Sequence, residues 1–331
     1  MAVNSFLMRI APLVLLLLAI GCTRDAPRDN PFDPNSDLYD TAASLEGQII
    51  RKIPPYNGIP DVEIRLSGSA SRYTYTNNDG FFSFRHLPGD SVQIRVHKDG
   101  YGSRHTHVSL PDQHVEILLN GRPRTDSLHI RTTHRSHWWP VEDEYMLHIE
   151  AWISDIDGMN DIDSVWFSIP GDTTALGTEP PYTDQGSVSG ELYDWELSFP
   201  ITDLAGRVFL CHIRDRDSLH AEPAGASISR FIENSPSPLA PVGDAEAGPL
   251  PTLRWDYFDA SYTFYYIVEI FRITSGNTAV RVFNREEIAQ SVTELTVEDS
   301  LPPGSYYWTL GVVDRFGNSS YSREATFSVP E

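Results

Sequence analysis

Apolar and polar positions alternate with period two along most of the chain. Val62, Ile64 and Leu66 alternate with Asp61, Glu63 and Arg65, and Val92, Ile94 and Val96 with Gln93, Arg95 and His97. Successive side chains of a strand point to opposite faces, so this period marks strands with one buried side. The pattern returns at Tyr145, Leu147, Ile149, Ala151 and Ile153, at Val165, Phe167 and Ile169, and at Trp195, Leu197 and Phe199. It continues through Leu253 and Trp255, a face of Tyr265, Ile267, Glu269 and Phe271, and a face of Tyr306, Trp308, Leu310 and Val312. Turn formers punctuate the runs at residues 54–58, Asn77–Gly80, Pro88–Asp90 and Asp99–Gly100. The one helical hint is Arg285 to Gln290, read as a single turn in a loop. The expectation is an all-β protein of three tandem β-sandwich domains at 44–120, 124–234 and 235–331, the last opening on the Pro-rich stretch from Ser235 to Pro241.

The first forty residues follow another pattern. Arg9 precedes an apolar run, Ile10 to Ile20, broken only by Pro12. It is shorter than the ~20 residues that span a bilayer, and it has the layout of a signal peptide over 1–21. Residues 22–43 are rich in Asp, Asn and Pro and predict a flexible, disordered tether. Leu18–Cys22 resembles a bacterial lipobox, with Ala19 where a Leu is usual. The resemblance implies that Cys22 carries a lipid and anchors the protein in a membrane. Thr23 follows the cysteine where Asp would retain it, and by resemblance to lipoproteins of two-membrane bacteria this implies the outer membrane. With Cys22 lipidated, Cys211 has no partner, and its setting between Leu210 and Ile213 reads as a buried strand position.

Charge narrows the partners. The 331 residues carry a net charge of −21, which repels polyanions and excludes nucleic acid as a partner. The partners expected with the lipoprotein reading are a membrane, through the lipid anchor, and an envelope protein or a polysaccharide.

Three segments resemble known domain families. Gly47, Gly58–Gly68, Thr76–Phe84, Leu87–Gly89 and Val96–Tyr101 resemble the carboxypeptidase regulatory-like domain, a transthyretin-like sandwich. The resemblance implies an accessory module without catalytic residues. Ala151–Gly158 followed by Ile162–Val165 is similar to bacterial immunoglobulin-like modules. Residues 235–331 resemble a fibronectin type III domain, which implies Trp255 as a core tryptophan and Tyr306, or alternatively Tyr307, as the corner tyrosine.

Candidate chemistry is sparse. Asp155, Asp157, Asn160, Asp161 and Asp163 form the densest set of oxygen ligands. Asp155, Asp157, Asp161 and Asp163 are candidates for a structural calcium ion, which takes six to eight oxygens. An EF-hand loop counted from Asp155 has Asn160 where Gly is needed and Trp166 where Glu is needed, and a loop of turn-forming Asp and Asn explains the same letters. His105 and His107 share a strand face, and His129, His134 and His137 lie close in sequence, without the spacing of a zinc site. Trp138 and Trp139 are candidates for stacking on sugars, although strand neighbours point opposite ways and one of them belongs to packing. No nucleophile elbow, Walker loop or dinucleotide-binding glycine pattern occurs. The expectation is a non-enzymatic envelope lipoprotein without catalytic residues or cofactor, presenting spacer and binding modules. The alternatives are a carbohydrate-binding surface lipoprotein and an accessory subunit of a secreted enzyme.

Overall fold

The structure is a computed structural model that describes residues 33, 35–36, 43–110, 114–138, 143–169, 175–178, 186–243, 245–274, 276 and 278–331. The signal peptide, Cys22 and Trp139 lie outside the described residues. The chain divides into two compact units, Met1–Gly121 and Arg122–Glu331.

The first unit contains strands β1 (Ala43–Arg51), β2 (Glu63–Gly68), β3 (Arg72–Tyr75), β4 (Phe81–Leu87), β5 (Ser91–His97), β6 (Arg104–Ser109) and β7 (His114–Leu119). They form two sheets, ordered β4-β1-β7 and β3-β2-β5-β6. The alternation places Leu45, Ile49, Ile64, Val96 and Leu119 in one core drawn from both sheets. Each such burial contributes about 1.5–3 kcal/mol. The Asn77–Gly80 turn is held by Asn77 Oδ1, which accepts from the N–H groups of Asp79 (3.0 Å) and Phe81 (2.8 Å). Gly80 has φ +80, and a Cβ there would stand 2.3 Å from the Ile49 carbonyl oxygen, so only glycine closes this turn.

The second unit holds two hydrophobic cores. Its first part comprises β8 (Arg124–Arg135), β9 (Glu144–Ser154), β10 (Ile162–Ser168), β11 (Ala175–Thr178), β12 (Ser187–Tyr193), β13 (Val208–Asp215) and β14 (Ala224–Ser227). Then follow β15 (Pro238–Ala240), β16 (Ala245–Glu246), β17 (Thr252–Trp255), β18 (Phe264–Ile273), β19 (Ala279–Ala289), β20 (Glu294–Thr296), β21 (Gly304–Asp314), β22 (Ser319–Tyr321) and β23 (Ala325–Val329). One core gathers Leu147, Ile149, Ala151, Phe167, Phe209, Cys211 and Ile213. The other is built around Trp255, Tyr266, Tyr306 and Trp308, and it already includes Ile232, ahead of the Pro-rich stretch.

Buried polar tips in this second core are satisfied, as aromatic packing requires. Trp308 Nε1 donates to the Pro241 carbonyl at 2.8 Å, and Tyr306 Oη donates to the Pro302 carbonyl at 2.6 Å. Tyr306 is therefore the corner tyrosine, while Tyr307 stacks on Phe271 at 4.9 Å between ring centroids.

Three local expectations are corrected. Trp195 lies in a short 3-10 turn, Asp194–Glu196, and is 65% exposed, because Glu196 reaches back to the Tyr193 N–H and ends the strand there. On β18 the fully buried face is Tyr266, Val268 and Ile270; Tyr265, Glu269 and Phe271 face the other way and are only partly buried. Arg285 to Ala289 belongs to β19, a sheet-edge strand paired with β18 whose mostly exposed side chains leave no alternation to read.

The two cores are joined by a shared sheet. Its path runs β12-β9-β8-β22-β21-β18-β19, so strands from both sandwiches belong to one nine-stranded sheet. The joint is β8 against β22, paired in parallel as Thr133 with Ser319, His134 with Ser320 and Arg135 with Tyr321. Side chains repeat the register. Thr133 Oγ1 lies 3.0 Å from Ser319 Oγ, His134 Nδ1 lies 2.9 Å from Ser320 Oγ, and the Arg135 guanidinium sits 4.7 Å from the Tyr321 ring centre. Asn318, fully buried, accepts from the Thr132 N–H at 3.1 Å and donates to Ser229 Oγ at 2.7 Å and Asp314 Oδ2 at 3.0 Å. Asp314 in turn accepts from the Asn318 N–H at 3.0 Å and meets Arg230 Nε at 3.0 Å. Burial pushes the His134 imidazole below its ordinary pKa, against the pull of Asp143. Its ring stacks on Tyr145 at 4.5 Å, and the neutral form suits this dry setting.

Asn318→Ala removes an acceptor from Thr132 and a donor from Asp314 and Ser229 in a solvent-free joint. The expected cost is about 2–4 kcal/mol, read as a lower urea midpoint at unchanged slope. Asn284→Ala, which removes an exposed contact to Glu286, is the control and is expected to change stability by less than about 0.5 kcal/mol. Equal effects of the two substitutions contradict this role for Asn318.

Candidate functional site

The acidic loop connects β9 to β10. Asp155 opens it as an Asx turn: its Oδ1 accepts from the Asp157 N–H at 2.8 Å, and its carbonyl accepts from the Gly158 N–H at 3.1 Å. Gly158 has φ +100, and the 3-10 turn Met159–Asp161 follows. This geometry brings carboxylate oxygens of Asp155, Asp157 and Asp161 within 4.8 Å of one another. Asp163 does not join them. It lies beyond the turn, on β10, and pairs with Arg214, whose Nη2 is 2.6 Å and Nε 2.9 Å from Asp163 Oδ2. The candidate calcium set is thereby reduced to three residues.

Electrostatics in the loop follow from crowding. Asp155 Oδ2 is inaccessible to solvent and accepts no hydrogen bond among the described residues. Burial is the main cause that pushes the Asp155 carboxyl up to about 7, and Asp161, Asp157 and Asp215 push the same way. Asp215, on β13, is a member of this group that sequence spacing does not reveal, since it stands 60 residues from Asp155. Three carboxylates suit a hard cation by donor type. The turn hydrogen bonds account for the loop's shape by themselves, and a proton on Asp155 relieves the like-charge contact.

The other candidate residues are separated. Trp138 is 60% exposed. Its Nε1 donates to the Glu324 carbonyl at 2.7 Å, and the Arg323 guanidinium lies 4.9 Å from its ring centre. One face of the ring is thus taken by a cation. His137 Nδ1 lies 3.1 Å from Glu324 Oε1, while His134 is buried at the β8–β22 joint. His105 and His107 belong to the first unit, on the exposed face of β6. Cys211 is fully buried, and burial pushes its thiol up, away from the thiolate that nucleophilic chemistry requires.

Comparison with known proteins found no matching family model and no match among curated proteins. Among solved structures, the FN1–FN3 domains of chicken CNTN1 are similar at 10% identity and a TM-score of 0.34, covering 88% of this chain and 96% of that one. The major pilin subunit BcpA of Bacillus cereus is similar at 10% identity and a TM-score of 0.26, covering 83% and 91%. Likenesses this slight transfer no property to the chain.

The raised Asp155 pKa fixes the sign of a pH effect. The folded loop holds the proton more tightly than the unfolded chain, so the stability it contributes is present at low pH and is lost as pH rises from about 4 through about 7. Asp155→Asn keeps the turn acceptor and removes the ionisable group. In chelator it is expected to raise the melting temperature at about pH 8 and to leave it near the parent value at about pH 4. A variant no more stable than the parent at the higher pH contradicts this account of the loop.

Proposed function

We propose that this chain is a non-enzymatic cell-envelope lipoprotein whose β-sandwiches serve as a stiff spacer and as binding modules. The observation that carries the reading is the shared sheet. Two hydrophobic cores are tied through β8 and β22 by backbone pairing and buried polar side chains, so residues 122–331 form one compact unit. A rigid, multi-core body suits presentation at a distance from a surface. The apolar run Ile10–Ile20 ahead of Cys22, and the Pro- and Asp-rich residues after it, support attachment through the N-terminus. Stable anchoring follows when more than one acyl chain is carried, since each buried methylene contributes about 0.8 kcal/mol. The outer membrane is the proposed location in a cell with two membranes.

A second reading, polysaccharide capture, draws limited support from Trp138. That ring is exposed, yet Arg323 and the Glu324 carbonyl already engage it.

The anchor is tested by expressing the full chain in a two-membrane bacterium fed an alkyne-bearing fatty acid. The parent is expected to be labelled and to fractionate with the outer membrane. Cys22→Ala is expected to lose the label and leave that fraction. A labelled Cys22→Ala, or an unlabelled parent, overturns the proposal.

A further inference from the structure

Charge is distributed unevenly along the chain. Residues 122–331 carry 14 Lys and Arg against 33 Asp and Glu, whereas residues 43–121 carry eight of each. Within the first unit two of the eight Lys and Arg, Arg65 and Arg95, stand with Tyr73, Tyr75 and three histidines on the solvent face of the β3-β2-β5-β6 sheet. Pairing aligns Tyr73, Arg65, Arg95 and His105 in one row across the four strands, and Tyr75, Glu63 and His97 in the next. Gln93 and His107 form a third. With strands about 4.8 Å apart, the four-residue row is about 14 Å long. Two carboxylates reach this face among the described residues: Glu63, paired with Arg65, and Asp99 just beyond β5, which lies 3.5 Å from His97; Arg95 is thereby the guanidinium left for a ligand.

The aromatic end of the row is unusually open. Tyr73 is 68% exposed and Tyr75 54%, on an edge strand, with ring centres 6.2 Å apart and planes at 86°. Two shallow hollows lie along the row. One, of about 430 Å³, is lined by Arg65, Ser71, Arg72, Tyr73 and Tyr75; the other, of about 180 Å³, by Glu63, Arg65, Arg95 and His97. Arg65 lines both, so the hollows adjoin.

We propose that this sheet face binds an acidic polysaccharide whose pyranose rings carry carboxylates. Tyrosine rings offer flat apolar surface to the C–H face of a sugar while keeping a polar tip in water. The planar guanidinium of Arg95 matches a carboxylate in two parallel hydrogen bonds. Gln93, His105 and His107 supply further polar groups for hydroxyls along the row. The open, elongated shape fits a run of sugars better than a single small molecule. Two arginines are too few for the clustered phosphate contacts that nucleic acid requires. The acidic remainder of the chain repels a polyanion elsewhere, which confines binding to this face. The inference stands on the face alone and does not need the lipid anchor.

The test uses the detergent-solubilised full chain in calorimetric titrations at low and moderate salt. The probes are polygalacturonate, its fully methyl-esterified form, polyglutamate, single-stranded DNA and anionic phospholipid vesicles. Saturable binding of polygalacturonate is expected, weakened about tenfold or more by esterification, by Arg95→Gln and by Tyr73→Ala. Unchanged melting temperatures show that these exposed substitutions leave the fold intact. Absence of saturable polygalacturonate binding overturns the proposal. So does equal binding of polyglutamate or DNA, which signals charge alone, or vesicle binding that the two substitutions abolish while polygalacturonate binding persists. Loss of the lipid label in the anchor experiment leaves this result untouched, so the two failures are distinguishable.

Discussion

The second unit depends on one parallel strand pair. Residues of β8 and β22 that meet in register are separated by 186 positions in the sequence. The contact is made by threonine, serine, histidine and asparagine, all buried. Polar side chains withdrawn from water destabilise a fold unless they find partners, and here Thr133, His134 Nδ1 and Asn318 find them across the joint. The pairing also closes an edge of each sandwich. An exposed edge strand is a row of unpaired N–H and C=O groups open to any other chain, and joining β8 to β22 covers β22 and the Thr133–Arg135 end of β8. Asp314 and Arg230 extend the network into the turn before β22, where Asp314 Oδ1 caps the N–H groups of Phe316 and Asn318.

That joint gives the proposed function its physical content. Two tandem sandwiches connected only by a linker move independently, because interfaces between domains are usually modest and polar. Backbone pairing restricts this freedom and ties the two cores into one sheet. The first unit differs in kind: balanced charge, an open aromatic edge and a sheet face rich in arginine and histidine. The candidate ligand face thus belongs to the first unit and the shared sheet to the second.

Much of the core was legible from the letters. Period-two alternation places Ile64, Leu66, Val92 and Ile94 inside, and the tryptophan–tyrosine pattern of the last hundred residues finds Trp255 and Tyr306. Where both faces of a strand are apolar the alternation loses its sign, which is why Tyr265, Glu269 and Phe271 read as the inner set on β18 although Tyr266, Val268 and Ile270 are the buried ones. The joint was not legible. Thr132–Ser136 and Asn318–Ser322 look like loop sequence, since their burial depends on a partner remote along the chain. The acidic loop was half legible: spacing finds Asp155, Asp157 and Asp161, but only the fold shows that Arg214 takes Asp163 and that Asp215 crowds Asp155.

Scanning calorimetry of residues 122–331 addresses the joint most directly. A single endotherm whose calorimetric and van 't Hoff enthalpies agree is the predicted result, because the two cores share one sheet and melt together. Two separable transitions, one for each core, would contradict it.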